Sequence, residues 1–589
     1  MISNEFFKLN ALKTIHKVKN DLEYKIPIHI KGDLVAYLTP VKNTEKIVKL
    51  LKSWRDDAPY AYPTVFESTL EGTKKWLENK IIKNVDRLFF MLIDLQGNFI
   101  GHLGFSEINA EEQSIEMDLA RGTDSIKGLM TYAYGSLIDW VFCELHAKKV
   151  IAKAFQDNEK SVDIHLRCGF RKIKNIPLKK IIKDERNYAF EEIENKDQAD
   201  RIFYLLELKN PNYRSNKEIL TSGPFIGRNE IMYVSDAVQK GWNENWNDYL
   251  SKFEESFAKY IGVKYALCTS SCTGALHLAL ASLGIKKGDE VIVPDFTWIA
   301  SVSIINYLGA TPIFVDVDPE SWTILPEAIE KAITPNTKAI IPVHMYGHPA
   351  EMDKIMEIAK KYNLTVIEDA APSIGAEFKG KKTGSFGEFA AFSFQGAKLL
   401  VTGEGGMLLT NNKELYEIAK NLNDHGRDPK IPFWINRIGY KYKMSNMQAA
   451  FGLAQLEKID QLISCKRRIF KWYSEGLESV EGIKLNDEAF EKGAKSIYWM
   501  TSILLEKELK LDREEFITEL KNKFNIDTRP VFPKISKFPM FKEVENINSE
   551  YISKRGINLP SGVCLTKEKV NFICESIKSL LNQLQNGTE

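Results

Sequence analysis

The chain has 589 residues, too many for one hydrophobic core, so two or three domains are expected. Its 80 basic and 79 acidic residues leave a net charge of +1, which argues against a nucleic-acid or polyanion partner. Seven scattered cysteines without a paired metal-ligand pattern, and no apolar run of the ~18–20 residues that a membrane span needs, predict a cytoplasmic protein with free thiols, no metal and no membrane partner.

The first residues, Met1 to Lys8, lack the basic stretch and long apolar run of a secretion signal. Leu88–Ile93 and Asn98–Phe105 are apolar runs joined by Asp94-Leu95-Gln96-Gly97-Asn98, which predicts a hairpin. Ser114–Leu119 is a third predicted strand, followed by a loop over Arg121–Lys127 and a long helix from Gly128 to Glu144. Strand Val150–Ala154, helix Lys160–Arg167 and the turn Cys168-Gly169-Phe170 come next. Lys209–Lys217 is polar, contains Pro211 and has no apolar period, so it reads as a linker. The expected division is a first domain over 1–210, a linker over 211–222 and a second domain over 223–589.

The second part alternates short β-branched runs with helical patterns. Predicted strands are Glu290–Val293, Pro312–Val317, Ala339–Val343, Thr365–Glu368, Ala390–Phe394 and Met407–Leu409; predicted helices include Pro326–Ile333 and Met352–Tyr362. Such alternation with continuous apolar strands predicts an α/β domain whose mostly parallel sheet is covered on both faces. From about Ile463 a smaller α+β lobe is expected, with strand runs near Tyr498–Leu505 and a helix over Val570–Gln585.

Lys398 follows the apolar run Phe392-Ser393-Phe394 and precedes the turn Thr402-Gly403-Glu404-Gly405-Gly406. A lysine so placed is suited to a Schiff base with an aldehyde cofactor. Asp369 ends an apolar strand, where ligands of parallel sheets bind. A lysine and an acid are the pair that pyridoxal phosphate (PLP) requires. Thr269-Ser270-Ser271-Cys272-Thr273-Gly274 opens an apolar helix whose N–H groups, with the Thr273 hydroxyl, suit a phosphate as well as an ordinary cap. Trp298, after the strand Glu290–Val293, suits either ring stacking or a half-buried surface.

Residues 215–589 resemble the DegT/DnrJ/EryC1/StrS sugar aminotransferases, a branch of the fold-type I PLP enzymes. The resemblance rests on Pro294–Trp298, Ile341–His348, Glu368-Asp369-Ala370-Ala371, Ser393–Lys398 with Thr402–Gly406, and Gly439–Asn446; Asp424-His425-Gly426-Arg427-Asp428 is most similar to perosamine-synthase-like 4-aminotransferases. It implies that Lys398 holds PLP and moves the proton, and that Asp369 pairs with the pyridinium nitrogen. It also implies that Trp298 stacks on the ring and that Thr273, Gly274 and Ser393 bind the phosphate. Lys443 matches a position that reaches the phosphate of the neighbouring subunit, so a homodimer with a shared site is implied. Cys272 replaces the family's usual glycine, Pro372 a frequent polar residue and Val401 a common threonine.

Residues 30–210 resemble the GNAT N-acetyltransferase fold in the order of their segments, from Ser114–Leu119 through the helix at Gly128 to Asn158-Glu159-Lys160-Ser161 and Cys168-Gly169-Phe170. That fold presents backbone N–H groups at a bulge and a helix start to the pyrophosphate of acetyl-CoA. Ile126, Lys127, Gly128 and Leu129 occupy those places, while Asn158 and Ser161 match positions near the pantetheine arm. The loop Ser125–Met130 lacks two of the family's marks. Glu116 is the candidate general base, on a strand that also carries Asp118.

Together the two resemblances imply a bifunctional enzyme of surface-polysaccharide sugars. One half aminates a nucleotide 4-keto-6-deoxysugar with glutamate as donor, and the other acetylates the new amine. The alternatives are an aminotransferase with a non-catalytic N-terminal binding module, or a PLP-fold relative without turnover.

Overall fold

The computed structural model describes residues 4–65, 68–118, 121–122, 126–184, 187–213, 218–487, 493–509 and 511–586. Two compact units emerge, one of Met1–Ser215 with Ile226–Met232 and one of Asn216–Phe225 with Tyr233–Glu589. In the first, the segment from Ile226 is tied down by its own backbone. The Ile226 N–H donates to Asn212 Oδ1 at 2.8 Å, and the Arg228 N–H donates to the Asp139 carboxylate.

The first unit is built on an eleven-stranded sheet. The expected hairpin is present as Leu88–Asp94 and Phe99–Asn109. Its turn is set by Asp94, whose Oδ1 accepts from the Gln96 and Asn98 N–H groups. Ser114–Met117 pairs parallel with Lys149–Phe155, whereas the other pairings of this sheet are antiparallel among the described residues. Leu119, the last residue of the expected third strand, lies outside the described residues, as does Ser125. A register shift between Phe105 and Glu107 supplies a bulge beside Ser114–Met117. The helices Leu129–Glu144 and Glu159–Arg167 follow as expected.

Several elements of this unit have no counterpart in the sequence reading. Helix Asn4–Asn20 buries Phe7, Ala11, Ile15 and Val18, a stripe at helical spacing. The hairpin Ile26–Ile30 with Asp33–Pro40 and the helix Glu45–Asp56, capped by Thr44 Oγ1, complete the N-terminal part.

The second unit holds a seven-stranded sheet in the order Tyr265–Thr269, Gly406–Thr410, Phe389–Ser393, Thr365–Asp369, Thr337–Ile340, Glu290–Pro294, Thr311–Val315. Gly406–Thr410 is antiparallel to both neighbours; the other pairings are parallel. Pro312, which has no N–H to donate, sits on the edge strand, where its loss to the ladder is tolerated. A second, four-stranded antiparallel sheet forms the smaller lobe, with Ser502–Leu505 and Gly556–Asn558 at its centre. Helices Ile459–Leu477, Arg513–Phe524 and Lys567–Asn586 share an apolar core with it. The expected strand run from Tyr498 begins at Ser502, because the Tyr498 backbone turns to φ 48°.

Candidate active site

Asp369 and Ser393 are the last residues of adjacent parallel strands. Gly406 starts the antiparallel strand beside them and pairs with Ser393 on one side and Thr269 on the other. Three strand ends therefore meet at one edge of the sheet, and helix Cys272–Ser282 begins there. A Cβ on Gly406 would lie 2.6 Å from the Cys272 nitrogen, so only glycine lets the helix start approach this closely. Ser271 Oγ accepts from the Gly274 N–H at 3.0 Å, which leaves the rest of the first turn to other acceptors. Thr273 is half-buried in that turn, and the ring of Tyr442 lies against Gly274.

Asp369 is buried and fixed by two donors. Ser301 Oγ reaches Oδ2 at 2.6 Å, with Thr297 Oγ1 3.2 Å behind it, and the Ala371 N–H reaches Oδ1 at 3.1 Å. Glu368 points to the opposite face, as strand alternation requires. It accepts from His344 Nε2 at 3.0 Å and from the N–H groups of Gly384, Phe386 and Gly387. The Ala350 N–H donates to His344 Nδ1 at 3.1 Å, so the network assigns the ring proton to Nε2.

Lys398 sits in a turn closed by its own N–H on the Gln395 carbonyl at 2.8 Å. Burial pushes its amine down to about 8, against the opposing pull of the Asp369 carboxylate and, less, of the Cys272 thiol. Burial likewise pushes the Cys272 thiol well up, and Lys398 opposes it. Lys398, Asp369 and Cys272 are thus close enough to act on one another electrostatically. Lys398 Nζ lies 3.6 Å from the Trp499 ring centroid.

These residues fit PLP. The amine is far more often neutral near neutral pH than an ordinary lysine, the carboxylate is held in place by two donors, and the helix start presents N–H groups to an anion. Trp298 stands just beyond the strand Glu290–Pro294, 56% exposed, with its ring 5.4 Å from Phe532. The Lys443 backbone bridges to Thr269, and its Nζ lies 3.9 Å over the Trp246 ring of the same chain. Ser393 Oγ accepts from the Gln395 N–H at 3.4 Å. Ser301 and Trp499 escaped sequence reading. Ser301 follows Thr297 by one helical turn, a spacing that marks a shared face; Trp499 carries no local signal.

In the first unit, Gly128 adopts φ 81° at the start of helix Leu129–Glu144. Only glycine takes this conformation without strain, and it turns Ile126 and Lys127 into the helix start. Asn158 Oδ1 accepts from the Ser161 N–H at 3.2 Å, so these two residues also cap their own helix. Glu116 lies opposite Glu107; burial pushes its carboxyl up, with Lys153 opposing. Burial pushes the Asp118 carboxyl up too, against Arg87, whose Nε is 3.6 Å away.

A sheet that gathers a lysine, a fixed carboxylate and a helix start at its strand ends defines the fold-type I class of PLP-dependent enzymes. The chain belongs to the DegT/DnrJ/EryC1/StrS aminotransferase family, whose model matches residues 224–578. A model of the acetyltransferase (GNAT) domain matches residues 37–171. The chain is 45% identical over 356 residues to the GDP-perosamine synthase of Escherichia coli O157:H7, a match covering 60% of this chain and 96% of that protein. It is 38% identical over 366 residues to the GDP-perosamine synthase of Caulobacter vibrioides, covering 62% and 98%. The solved PLP-form of the putative sugar aminotransferase Spr1654 from Streptococcus pneumoniae superposes with a TM-score of 0.57 at 26% identity, over 62% of this chain and 99% of that one.

Proposed function

We propose that the C-terminal unit transfers an amino group from glutamate to the keto carbon of a nucleotide 4-keto-6-deoxysugar, and that the N-terminal unit acetylates the resulting amine with acetyl-CoA, for a surface polysaccharide. The observation that carries the first step is the Lys398 amine, lowered to about 8 beside the fixed Asp369 carboxylate. Similarity to two GDP-perosamine synthases favours a GDP sugar aminated at C4.

PLP, when bound, supplies an electron sink for the carbon that carries the amino group. Asp369 keeps a proton on the ring nitrogen, and Ser301 and the Ala371 N–H keep Asp369 in place. Lys398, neutral in part at physiological pH, would move the proton between the sugar carbon and the cofactor's C4′. Thr273 at the helix start and Ser393 at the strand end would hold the phosphate, with Gly274, whose N–H is taken by Ser271 Oγ, letting Tyr442 close on the turn, and Trp298 would cover the ring. Lys443 would leave the Trp246 ring to reach the phosphate of a neighbouring subunit, so the working form in this reading is a homodimer, placed in the cytoplasm.

For the second step, the backbone N–H groups of Ile126, Lys127 and Gly128 would receive the pyrophosphate, with Asn158 and Ser161 beside the pantetheine arm; the Leu129 N–H, expected among them, closes on the Ile126 carbonyl at 3.1 Å. The sugar amine forms the new C–N bond, the thioester C–S bond breaks, and the thiolate takes up a proton. Glu116, or water, accepts the proton that the amine loses. The loop Ser125–Met130, which lacks two of the family's marks, favours a second reading, in which this unit is a non-catalytic binding module.

Mass spectrometry of products made with PLP, glutamate and a panel of GDP-, dTDP- and UDP-4-keto-6-deoxysugars tests both steps. A product heavier by one acetyl group only when acetyl-CoA is present supports the full proposal. Amination without acetylation on every accepted sugar supports the binding-module reading, and no amination overturns the first step.

A further inference from the structure

Beside the Lys398 turn stands a wall of aromatic rings from both lobes of the C-terminal unit. Phe532 meets Trp298 at 5.4 Å and Tyr346 at 5.3 Å, and Tyr346 meets Trp499 at 5.9 Å. Trp499 is the ring that faces the lysine, with Nζ 3.6 Å from its centroid. An ammonium over an indole face is attracted by the negative face of the ring.

The Trp499 ring is held from several sides. Its Nε1–H donates to the Ala397 carbonyl at 2.8 Å, next to Lys398 itself. Its own carbonyl accepts from Lys466 Nζ at 2.7 Å, and this buried amine also donates to the Ser561 carbonyl. Tyr498, just before it, has φ 48°, which non-glycine residues seldom adopt, and stacks on Phe470. The Ile497 N–H donates to the Gly347 carbonyl at 3.2 Å. Strain of this kind survives where the surroundings over-determine it, and it gathers at functional sites.

The reaction leaves the Lys398 amine without a bond to the cofactor while the cofactor carries the amino group of donor or product. Within that interval, between taking up the proton and returning it, the amine is an ammonium, and a free, charged side chain has to stay within reach. We propose that Trp499 is a positioning residue that receives the Lys398 amine on its ring face while that amine, free of the cofactor, holds the proton it has taken, and that Lys466 fixes Trp499 in this role. The proposal rests on Lys398 being the lysine that bonds the cofactor. Two groups besides the ring act on this amine, the Asp369 carboxylate from the strand end and the Cys272 thiol from the helix start, and burial opposes its charge.

The sign of one titration separates this role from simple shielding. If the indole face attracts the ammonium, removing it lowers the amine's pKa further below about 8. If the ring only keeps water away, removing it admits water and the value climbs toward that of an ordinary lysine. The measurement is trace labelling of the full-length, cofactor-free protein with acetic anhydride across the alkaline range, read at the Lys398 peptide by mass spectrometry. Trp499→Leu should lower the apparent pKa by roughly half to one unit, and Trp499→Phe by less. An unchanged or raised value in these variants overturns the proposal, and Trp499→Phe alone decides if Trp499→Leu does not fold. Lys466→Met should shift the value in the same direction; no shift there removes Lys466 from the proposal. In parallel, wild-type protein given PLP should develop a visible band that Lys398→Ala lacks. Failure of that control sinks the cofactor reading, separately from the labelling result.

Discussion

Asp369 shows how much depends on one hydroxyl. Its Oδ2 has Ser301 Oγ as a donor at 2.6 Å inside a buried site, where a hydrogen bond to a charged acceptor is worth about 1.5–3 kcal/mol. Ser301→Ala should therefore weaken the hold on the cofactor by roughly tenfold or more, read as the dissociation constant of PLP from the stripped protein. Ser301→Thr, which keeps the hydroxyl, should recover most of it. Lys398 gives a pH signature of its own. Its neutral form captures the aldehyde, and burial lowers its pKa to about 8. The rate of PLP capture should rise with pH up to about 8 and level off above it. A profile that keeps climbing to the range of a free lysine would mean that the amine is not buried in the resting protein.

At the scale of elements, the loops around the sheet are organised by charges that face away from the cofactor. Glu368 has no exposed surface and takes four hydrogen bonds, from His344 and from the N–H groups of Gly384, Phe386 and Gly387. Glu368→Gln replaces one acceptor oxygen by a donor and sets N–H against N–H. The cost should be about 3 kcal/mol, seen as a lower thermal transition of the C-terminal unit. Gly128 carries the parallel argument in the first unit. Gly128→Ala forces a left-handed backbone on a residue with a Cβ, at about 1–2 kcal/mol, and distorts the helix start. Acetyl-CoA affinity, measured by calorimetry, should fall by roughly five- to thirtyfold.

The same scale shows what the sequence made legible. Strands Thr365–Asp369 and Phe389–Ser393 were readable because continuous β-branched and aromatic runs end in polar residues that have a job at a sheet edge. Helix Asn4–Asn20 was not, because its apolar stripe is narrow and interrupted by lysines and asparagines. Ser301 and Trp499 escaped because each acts through a residue distant in sequence: Ser301 is 68 positions from Asp369, and Trp499 is 102 positions from Ala397. No local pattern encodes such pairs. They exist only once the sheet and the smaller lobe have assembled.

At the scale of the whole molecule, the chain joins a step that makes an amine to a domain of a fold that acetylates amines. Two family models match separate stretches, residues 37–171 and 224–578. Each site should therefore be separable by mutation. Lys398→Ala in the full chain should abolish amination, with loss of at least ~10²–10⁴-fold from the missing proton transfer, and leave acetylation of supplied amino sugar intact. Gly128→Ala, assayed with acetyl-CoA held well below its weakened affinity, should slow acetylation and leave amination intact. A mixture of the two variants then restores the two-step product, because each supplies the activity that the other lacks. The yield of that mixture is informative. If the amino sugar is handed on within one molecule or dimer, the wild type benefits from a high effective concentration that the mixture lacks. Added free sugar amine of distinguishable mass would then compete poorly in the wild type and well in the mixture. Equal competition in both would show that fusion brings the two activities together in expression but not in catalysis.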